Sequence, residues 1–178
     1  MNLRLLLTLL AIAPLSIASA APKAPASGDR IVLIGNGLGE RMLDHPYFEA
    51  RLQMAYPGEK LYIRNICRPG DTAGFRPHPS RESQWAFPGA EKFHPQHQIH
   101  QGQGHYPTAD EWLTDLKPDT LIAFFGYNES FDGRAGIANF KGELDAFIKH
   151  TASQQYNGKA APRLVLVSPI AYENLSAK

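Results

Sequence analysis

The chain has 178 residues, of which 43% are hydrophobic and 20% are charged; this composition is typical of a globular domain rather than a disordered or fibrous chain. Its 18 lysines and arginines nearly balance its 17 aspartates and glutamates, so charge favours neither nucleic acid nor an anionic membrane surface as a partner. The single cysteine, Cys67, excludes an internal disulfide and any zinc site built from several cysteines.

The first 20 residues predict a secretory signal peptide. A short basic start is followed by an apolar run over residues 5–17, and the small residues Ala18 and Ala20 fit a cleavage site. A transmembrane anchor would need about 20 apolar residues, whereas this run is shorter and contains Pro14. We therefore expect a secreted or periplasmic protein with no membrane span in the mature chain.

A linker over residues 21–29 is predicted next, because this stretch is rich in Ala, Pro and Ser. A single domain is predicted over residues 30–178. The chain ends shortly after the last predicted strand, and one interpretation is that it forms the N-terminal part of a larger polypeptide.

Strands and helices are predicted to alternate along the domain. Runs of Val, Ile, Leu and Phe predict buried strands at 30–34, 60–66, 119–125 and 163–167. Helical spacing of apolar residues predicts helices at 46–56, 109–116 and 136–155. This alternation predicts a three-layer α/β/α sandwich with a parallel, flavodoxin-like sheet, in which a ligand lies beyond the carboxyl ends of the strands.

A long inserted loop is predicted over residues 69–107, where 11 of 39 residues are Gly or Pro and five of the seven histidines occur. Loops of this length in compact domains commonly bind ligands or cover a site. Trp85 and Phe87 could stack on a sugar or acyl chain, but we favour a role in anchoring the loop, because a long loop needs apolar burial to stay ordered.

Three short motifs follow the first three strands: Gly35-Asn36-Gly37-Leu38, Pro69-Gly70-Asp71-Thr72 and Gly126-Tyr127-Asn128-Glu129. The first is not a dinucleotide fingerprint, because Glu40 stands where that pattern requires its third glycine. A free glycine N–H facing an asparagine amide at a neighbouring strand end is the donor pair of an oxyanion hole.

These motifs, in this order, resemble the SGNH/GDSL hydrolases, a family of esterases, lipases and carbohydrate deacetylases. The resemblance implies that Gly70 and Asn128 are oxyanion donors and that the ligand is a small molecule or a carbohydrate ester. It also implies substrate contacts by the neighbouring residues Asn36, Arg68, Asp71, Tyr127 and Glu129. For Arg64 and Arg68, we favour local ion pairs with Glu129 or Asp71 over binding of an anionic substrate.

Two departures from the family pattern predict weak or absent catalysis by this chain alone. Gly37 occupies the position of the serine nucleophile, and no Asp-x-x-His segment follows the last strand. Loss of a triad member leaves only the residual catalysis of the oxyanion hole and binding. A non-catalytic module that binds a glycan or an ester is therefore the main alternative.

A periplasmic metal-binding protein is a further alternative, because His94, His97 and His100 recur every three residues and imidazole binds zinc and copper. Pro95 argues against the helix that would align these rings. We therefore predict no metal site and no cofactor, and expect the histidines to have structural or substrate-contacting roles. One of them could also supply a base from outside the family pattern.

Overall fold

The computed structural model describes residues 23–97 and 105–170. The predicted signal peptide lies outside the described residues. Within them, no helix is both long and apolar enough to cross a membrane.

The domain is built on a four-stranded sheet in which every neighbouring pair of strands is parallel. The strands are β1 (Arg30–Gly35), β2 (Tyr62–Asn65), β3 (Thr120–Phe124) and β4 (Arg163–Leu166), in the order β2-β1-β3-β4. This is the strand order expected for a flavodoxin-like sheet, and it confirms the predicted parallel α/β fold. All four predicted strands are present, and each begins and ends within two residues of its expected bounds.

The described residues form four helices; the first, a short one after β1, was not predicted, and the other three lie at the expected positions. They are α1 (Gly37–Glu40), α2 (Tyr47–Ala55), α3 (Ala109–Leu116) and α4 (Gly133–Ser153), with short 3-10 turns at Arg41–Leu43, Ala90–Phe93 and Asn128–Asp132. The start of α3 is fixed by a capping box, in which Thr108 and Glu111 exchange hydrogen bonds. The helix α4 begins three residues earlier than predicted, directly after the 3-10 turn that follows β3.

Alternating residues of β1 pack into two separate apolar clusters on opposite faces of the sheet. Val32 and Ile34 lie in a cluster with apolar residues of α3 and α4. Ile31 and Leu33 lie in the other cluster, against apolar residues of α1 and α2. Helices thus cover both faces, which is compatible with the predicted three-layer arrangement.

The described part of the long loop packs against the sheet and α4. Ala73, Ala86, Phe87 and Ala90 are buried in the same cluster as Val32 and Ile34. An isolated antiparallel bridge pairs Phe75 with Trp85, and their rings lie 5.3 Å apart. The two aromatic residues Trp85 and Phe87 therefore anchor the loop, as favoured from the sequence.

The carboxyl ends of β1 and β3 approach each other closely. Gly35 has a φ of +122°, and a Cβ at this position would overlap the backbone of Phe124. A glycine is required here because no other residue adopts this conformation at this contact without strain. This approach brings the segments that follow β1 and β3 to one edge of the sheet, next to the segment that follows β2.

Candidate functional site

A cavity of about 340 Å³ opens at this edge of the sheet; we call it the His94 cavity. Four parts of the chain line it: the segment after β2, the long loop, the turn after β3 and one side of α4. The lining residues outside α4 are Pro69, Gly70, Thr72, Phe75, Phe93, His94, Gln96, His97, Asn128, Glu129, Phe131 and Asp132. Gly70 and Asn128, the two predicted oxyanion donors, therefore line one cavity. Its volume is at the lower end of the range for small-molecule sites.

The amide of Asn128 is committed to backbone groups in this conformation. Its Nδ2 donates to the carbonyl oxygens of Pro69 and Asp71, both at 2.8 Å. An asparagine amide has only two N–H groups, so both are used to hold the segment around Gly70 against the end of β3. By contrast, the N–H of Gly70 has no hydrogen-bond partner among the described residues and is free to meet a ligand.

A carboxylate and an imidazole form the most buried polar pair of the His94 cavity. The Nε2 atom of His94 lies 2.6 Å from Oε1 of Glu143, and the two residues are only 7% and 1% exposed. The same carboxylate oxygen accepts hydrogen bonds from the Thr72 hydroxyl at 2.9 Å and from the Gly74 N–H at 2.7 Å.

Three donors on one oxygen indicate that Glu143 is ionised and that Nε2 of His94 carries a proton, an assignment made from the hydrogen-bond network. In the neutral form of this ring Nδ1 is the unprotonated nitrogen, and no hydrogen bond to it is found among the described residues. Such a pair, with a buried carboxylate orienting an imidazole at a cavity wall, is the arrangement that hydrolytic sites use to position a general base.

The other cavity histidine, His97, lies beside His94, with ring centroids 5.1 Å apart. Partial burial, together with the positive charge that His94 can carry, lowers the pKa of His97 below its ordinary value. Within residues 23–97 and 105–170, no group of three or more His, Cys, Asp or Glu side chains could hold a metal ion. His100, the third candidate ligand, lies outside the described residues.

Glu129 lines the same cavity. Its Oε2 accepts a hydrogen bond from the N–H of Gly126 at 2.8 Å, while its Oε1 is buried and has no partner in the part of the chain that the structure describes. Burial raises the pKa of Glu129, so this carboxyl holds a proton more readily than an exposed glutamate does.

Two exposed aromatic rings stand beside the cavity. Tyr127 is 51% exposed and Phe131 is 75% exposed, and their rings meet edge to face with centroids 5.4 Å apart. Phe131 also contributes to the cavity wall. Exposed aromatic rings beside a polar cavity offer an apolar face to a ligand that carries polar groups at its other end.

Arg68 and Asp71 face a different and much narrower pocket of about 10 Å³, which Arg76 and Arg81 also line. Asp71 is buried, and this burial raises its pKa to about 7 even though the three arginines favour its charged form. The two loop arginines, Arg76 and Arg81, are nearly inaccessible, and their burial could not be read from a loop sequence without periodicity.

The ion pairs expected for Arg64 and Arg68 are not formed. None of the ion pairs among the described residues includes either arginine. The guanidinium of Arg64 instead lies 4.0 Å from the centre of the Tyr62 ring, a cation–π contact that does not need a carboxylate. The expectation of direct ion pairs was therefore wrong, although the charge of Arg68 still favours the ionised form of Asp71.

Gly37 is the first residue of α1 and does not belong to the lining of the His94 cavity. A Cβ at this position would meet no other atom within 4 Å. Its neighbour Asn36 is almost fully buried, and within residues 23–97 and 105–170 its Nδ2 atom has no hydrogen-bond partner. The structure thus places Gly70, Asn128 and Glu129 together, whereas Asn36 and Gly37 lie at the end of β1 outside that wall.

Cys67 is buried against the second apolar cluster. Desolvation raises the pKa of its thiol to about 12, so the thiolate, which is the reactive form, is suppressed at neutral pH. This agrees with the interpretation of Cys67 as a small core residue.

Glu143 is the residue of the site that the sequence analysis missed. The signal was present, because Glu143 follows Phe140 by three residues and precedes Phe147 by four, which places a carboxylate on the apolar stripe of α4. A charge at such a position needs a buried partner.

Comparison with models of known protein families and with curated proteins finds no match for this chain.

Proposed function

We propose that this chain is an exported SGNH-hydrolase-like domain that binds a small ester, such as an acylated carbohydrate, in the His94 cavity. The resemblance of its three motifs to that family supports the assignment. The observation that carries it is that Gly70 and Asn128, which follow two different strands, line one cavity of about 340 Å³. Ligands of parallel α/β sheets bind at this edge.

The chemistry of the cavity favours an uncharged ester with a ring at one end. The free N–H of Gly70 suits a carbonyl oxygen, and the exposed rings of Tyr127 and Phe131 suit the apolar face of a sugar. Among the described residues, no arginine or lysine lines this cavity, so a strongly anionic ligand is disfavoured.

A serine-dependent mechanism is not part of the proposal, because Gly37 has no side chain with which to attack a carbonyl. The residual capacity of such a site is binding, together with slow hydrolysis by other groups. A non-catalytic glycan- or ester-binding module is the second candidate, and it is favoured by the engagement of both Asn128 N–H groups in holding the backbone.

Calorimetry with acetylated xylo-oligosaccharides, followed by product analysis of the same samples, tests the proposal. We expect saturable binding, weaker for the deacetylated oligosaccharide, and no labelling by a serine-directed fluorophosphonate. Binding without any released acetate favours the non-catalytic module. Absence of binding to both forms would rule out the proposed function, and stoichiometric fluorophosphonate labelling would show that a nucleophile is present after all.

A further inference from the structure

The His94–Glu143 pair joins groups from two distant parts of the chain at the wall of the cavity. Glu143 comes from the middle of α4 and is almost fully buried. An isolated buried carboxylate is costly, and a hydrophobic residue at the same position would pack α4 without that cost. A polar pair retained there therefore suggests a chemical role.

We propose that His94 is a general base that activates a water molecule for direct hydrolysis of an ester bound in the His94 cavity, with Glu143 as its positioning residue. This inference rests on the proposed function, because it requires an ester in the cavity. The proposal places the general base, His94, on the inserted loop.

The hydrogen bonds favour water as the attacking group. The Thr72 hydroxyl is the nearest alternative, at 3.2 Å from Nε2 of His94, but it donates to Glu143 at 2.9 Å and accepts from the N–H of Phe75 at 3.1 Å. Both its donor and an acceptor position are therefore occupied within the protein. Gly37 offers no hydroxyl, and a water molecule is small enough to share the cavity with a ligand.

In the proposed reaction, Nδ1 of His94 takes a proton from water as the water oxygen bonds to the ester carbonyl carbon. The negative charge that develops on the carbonyl oxygen is stabilised by the N–H of Gly70. The bond from carbon to the alcohol oxygen then breaks, and the leaving oxygen takes the proton from His94. Ester and water give acid and alcohol, and the imidazole returns to its starting state.

Glu143 stabilises the imidazolium that forms in the first step and fixes the ring orientation through the 2.6 Å contact with Nε2. Thr72 and the Gly74 N–H hold the carboxylate oxygen in place. A positioned general base contributes roughly 10²- to 10⁴-fold to a rate, so the expected activity is slow compared with that of a complete serine triad.

Steady-state hydrolysis of p-nitrophenyl acetate by the purified chain tests this role, with His94→Gln, Glu143→Gln and the control His45→Gln. His45 is exposed at the start of α2, away from the cavity, and its replacement controls for the reaction of surface imidazoles with this reagent. We expect kcat to fall by about 10²-fold in His94→Gln with KM little changed. We expect a fall of about tenfold in Glu143→Gln, which keeps the acceptor oxygen and loses the charge, and no change in His45→Gln.

Two further measurements separate catalysis from folding. After subtraction of the hydrolysis that imidazole itself catalyses, added imidazole should restore turnover to His94→Ala but not raise that of His45→Ala. The wild-type reaction should be slower in D₂O because a proton moves in the rate-limiting step. Full activity in a folded His94→Gln variant would overturn the proposal, as would the absence of wild-type turnover above the uncatalysed rate. If the His94 variants do not fold, equal wild-type rates in H₂O and D₂O overturn it.

Calorimetry of the same purified chain with acetylated xylo-oligosaccharide distinguishes failure of the general-base role from failure of the proposed function. Binding without His94-dependent turnover removes the general base and leaves the proposed function standing. Loss of both binding and turnover removes the proposed function itself.

Discussion

Glu143 lies on the stripe of α4 whose other side chains include phenylalanine and leucine. Its Oε1 atom accepts hydrogen bonds from Thr72, Gly74 and His94. One oxygen of α4 therefore connects this helix to the segment after β2 and to the part of the long loop that carries His94. Hydrogen bonds to a buried charged group are worth more than those between neutral groups. A single carboxylate therefore determines how these three parts of the chain meet.

Asn128 has a comparable role on the other side of the cavity. The replacement Asn128→Asp would face two carbonyl oxygens with a carboxylate that has no proton to donate, so we expect a loss of stability of about 1–3 kcal/mol. Urea unfolding at neutral pH measures it, and Tyr127→Phe, a change at the exposed neighbouring residue, is the matched control. Equal unfolding midpoints for both variants would show that the Asn128 amide does not hold the Pro69 to Asp71 segment.

The sequence predicted some of these residues because their types are informative in themselves. Gly70 and Asn128 were identified from short motifs at strand ends, and the structure places them at one cavity. The partners of the Asn128 amide could not be predicted, because the two carbonyl groups that it contacts belong to a segment almost 60 residues earlier. Side-chain pairing over such separations depends on the tertiary fold rather than on local pattern.

At the scale of single elements, the four-residue helix α1 packs closely against its neighbours. Gly39 lies against Cys67 and Phe124, and a Cβ at Gly39 would come within 2.8 Å of the Phe124 ring. At Gly37, two residues earlier on the same helix, a Cβ would meet nothing within 4 Å. The two glycines thus have different surroundings, although they lie only two residues apart.

Gly39→Ala and Gly37→Ala form a matched pair that tests this difference. We expect Gly39→Ala to destabilise the fold by about 1–3 kcal/mol, because the added methyl group overpacks a buried contact. Gly37→Ala should be neutral or stabilising by up to about 1 kcal/mol, because alanine has the higher helix propensity. Thermal unfolding of both variants measures this, and equal melting temperatures would contradict the packing of α1 against Cys67.

Regular elements were predictable because their patterns are local. The strand β1 follows from an unbroken apolar run, and the helix α4 from a stripe of apolar residues with the helical period. The loop over residues 69–107 has no period, so the turn at Ala90–Phe93 and the bridge between Phe75 and Trp85 could not be predicted from sequence. These irregular pieces carry His94, and the candidate site was accordingly less predictable than the sheet.

For the whole molecule, the arrangement of elements explains why polar groups gather at one edge. The strand order β2-β1-β3-β4 makes the connections after β1 and β3 run to opposite sides, which leaves a crevice at their carboxyl ends. The described part of the long loop lies beside this crevice, and Asn139 of α4 donates a hydrogen bond to the Phe93 carbonyl at 2.9 Å that helps hold it. The segments that follow the strands therefore place Gly70 and Asn128 at this edge, and the loop places the imidazole of His94 beside them.

A nuclear magnetic resonance titration of the isotope-labelled chain with acetylated xylo-oligosaccharide tests the central claim most directly, because it reports each group of the His94 cavity separately. We predict saturable shifts of the Gly70 N–H, the Asn128 side-chain amide and the His94 ring. The N–H of Gly158, at the opposite end of α4 from the cavity, should not move. Shifts confined to residues outside the cavity, or no saturable shift at Gly70 and His94, would contradict the assignment of this cavity as the ligand site.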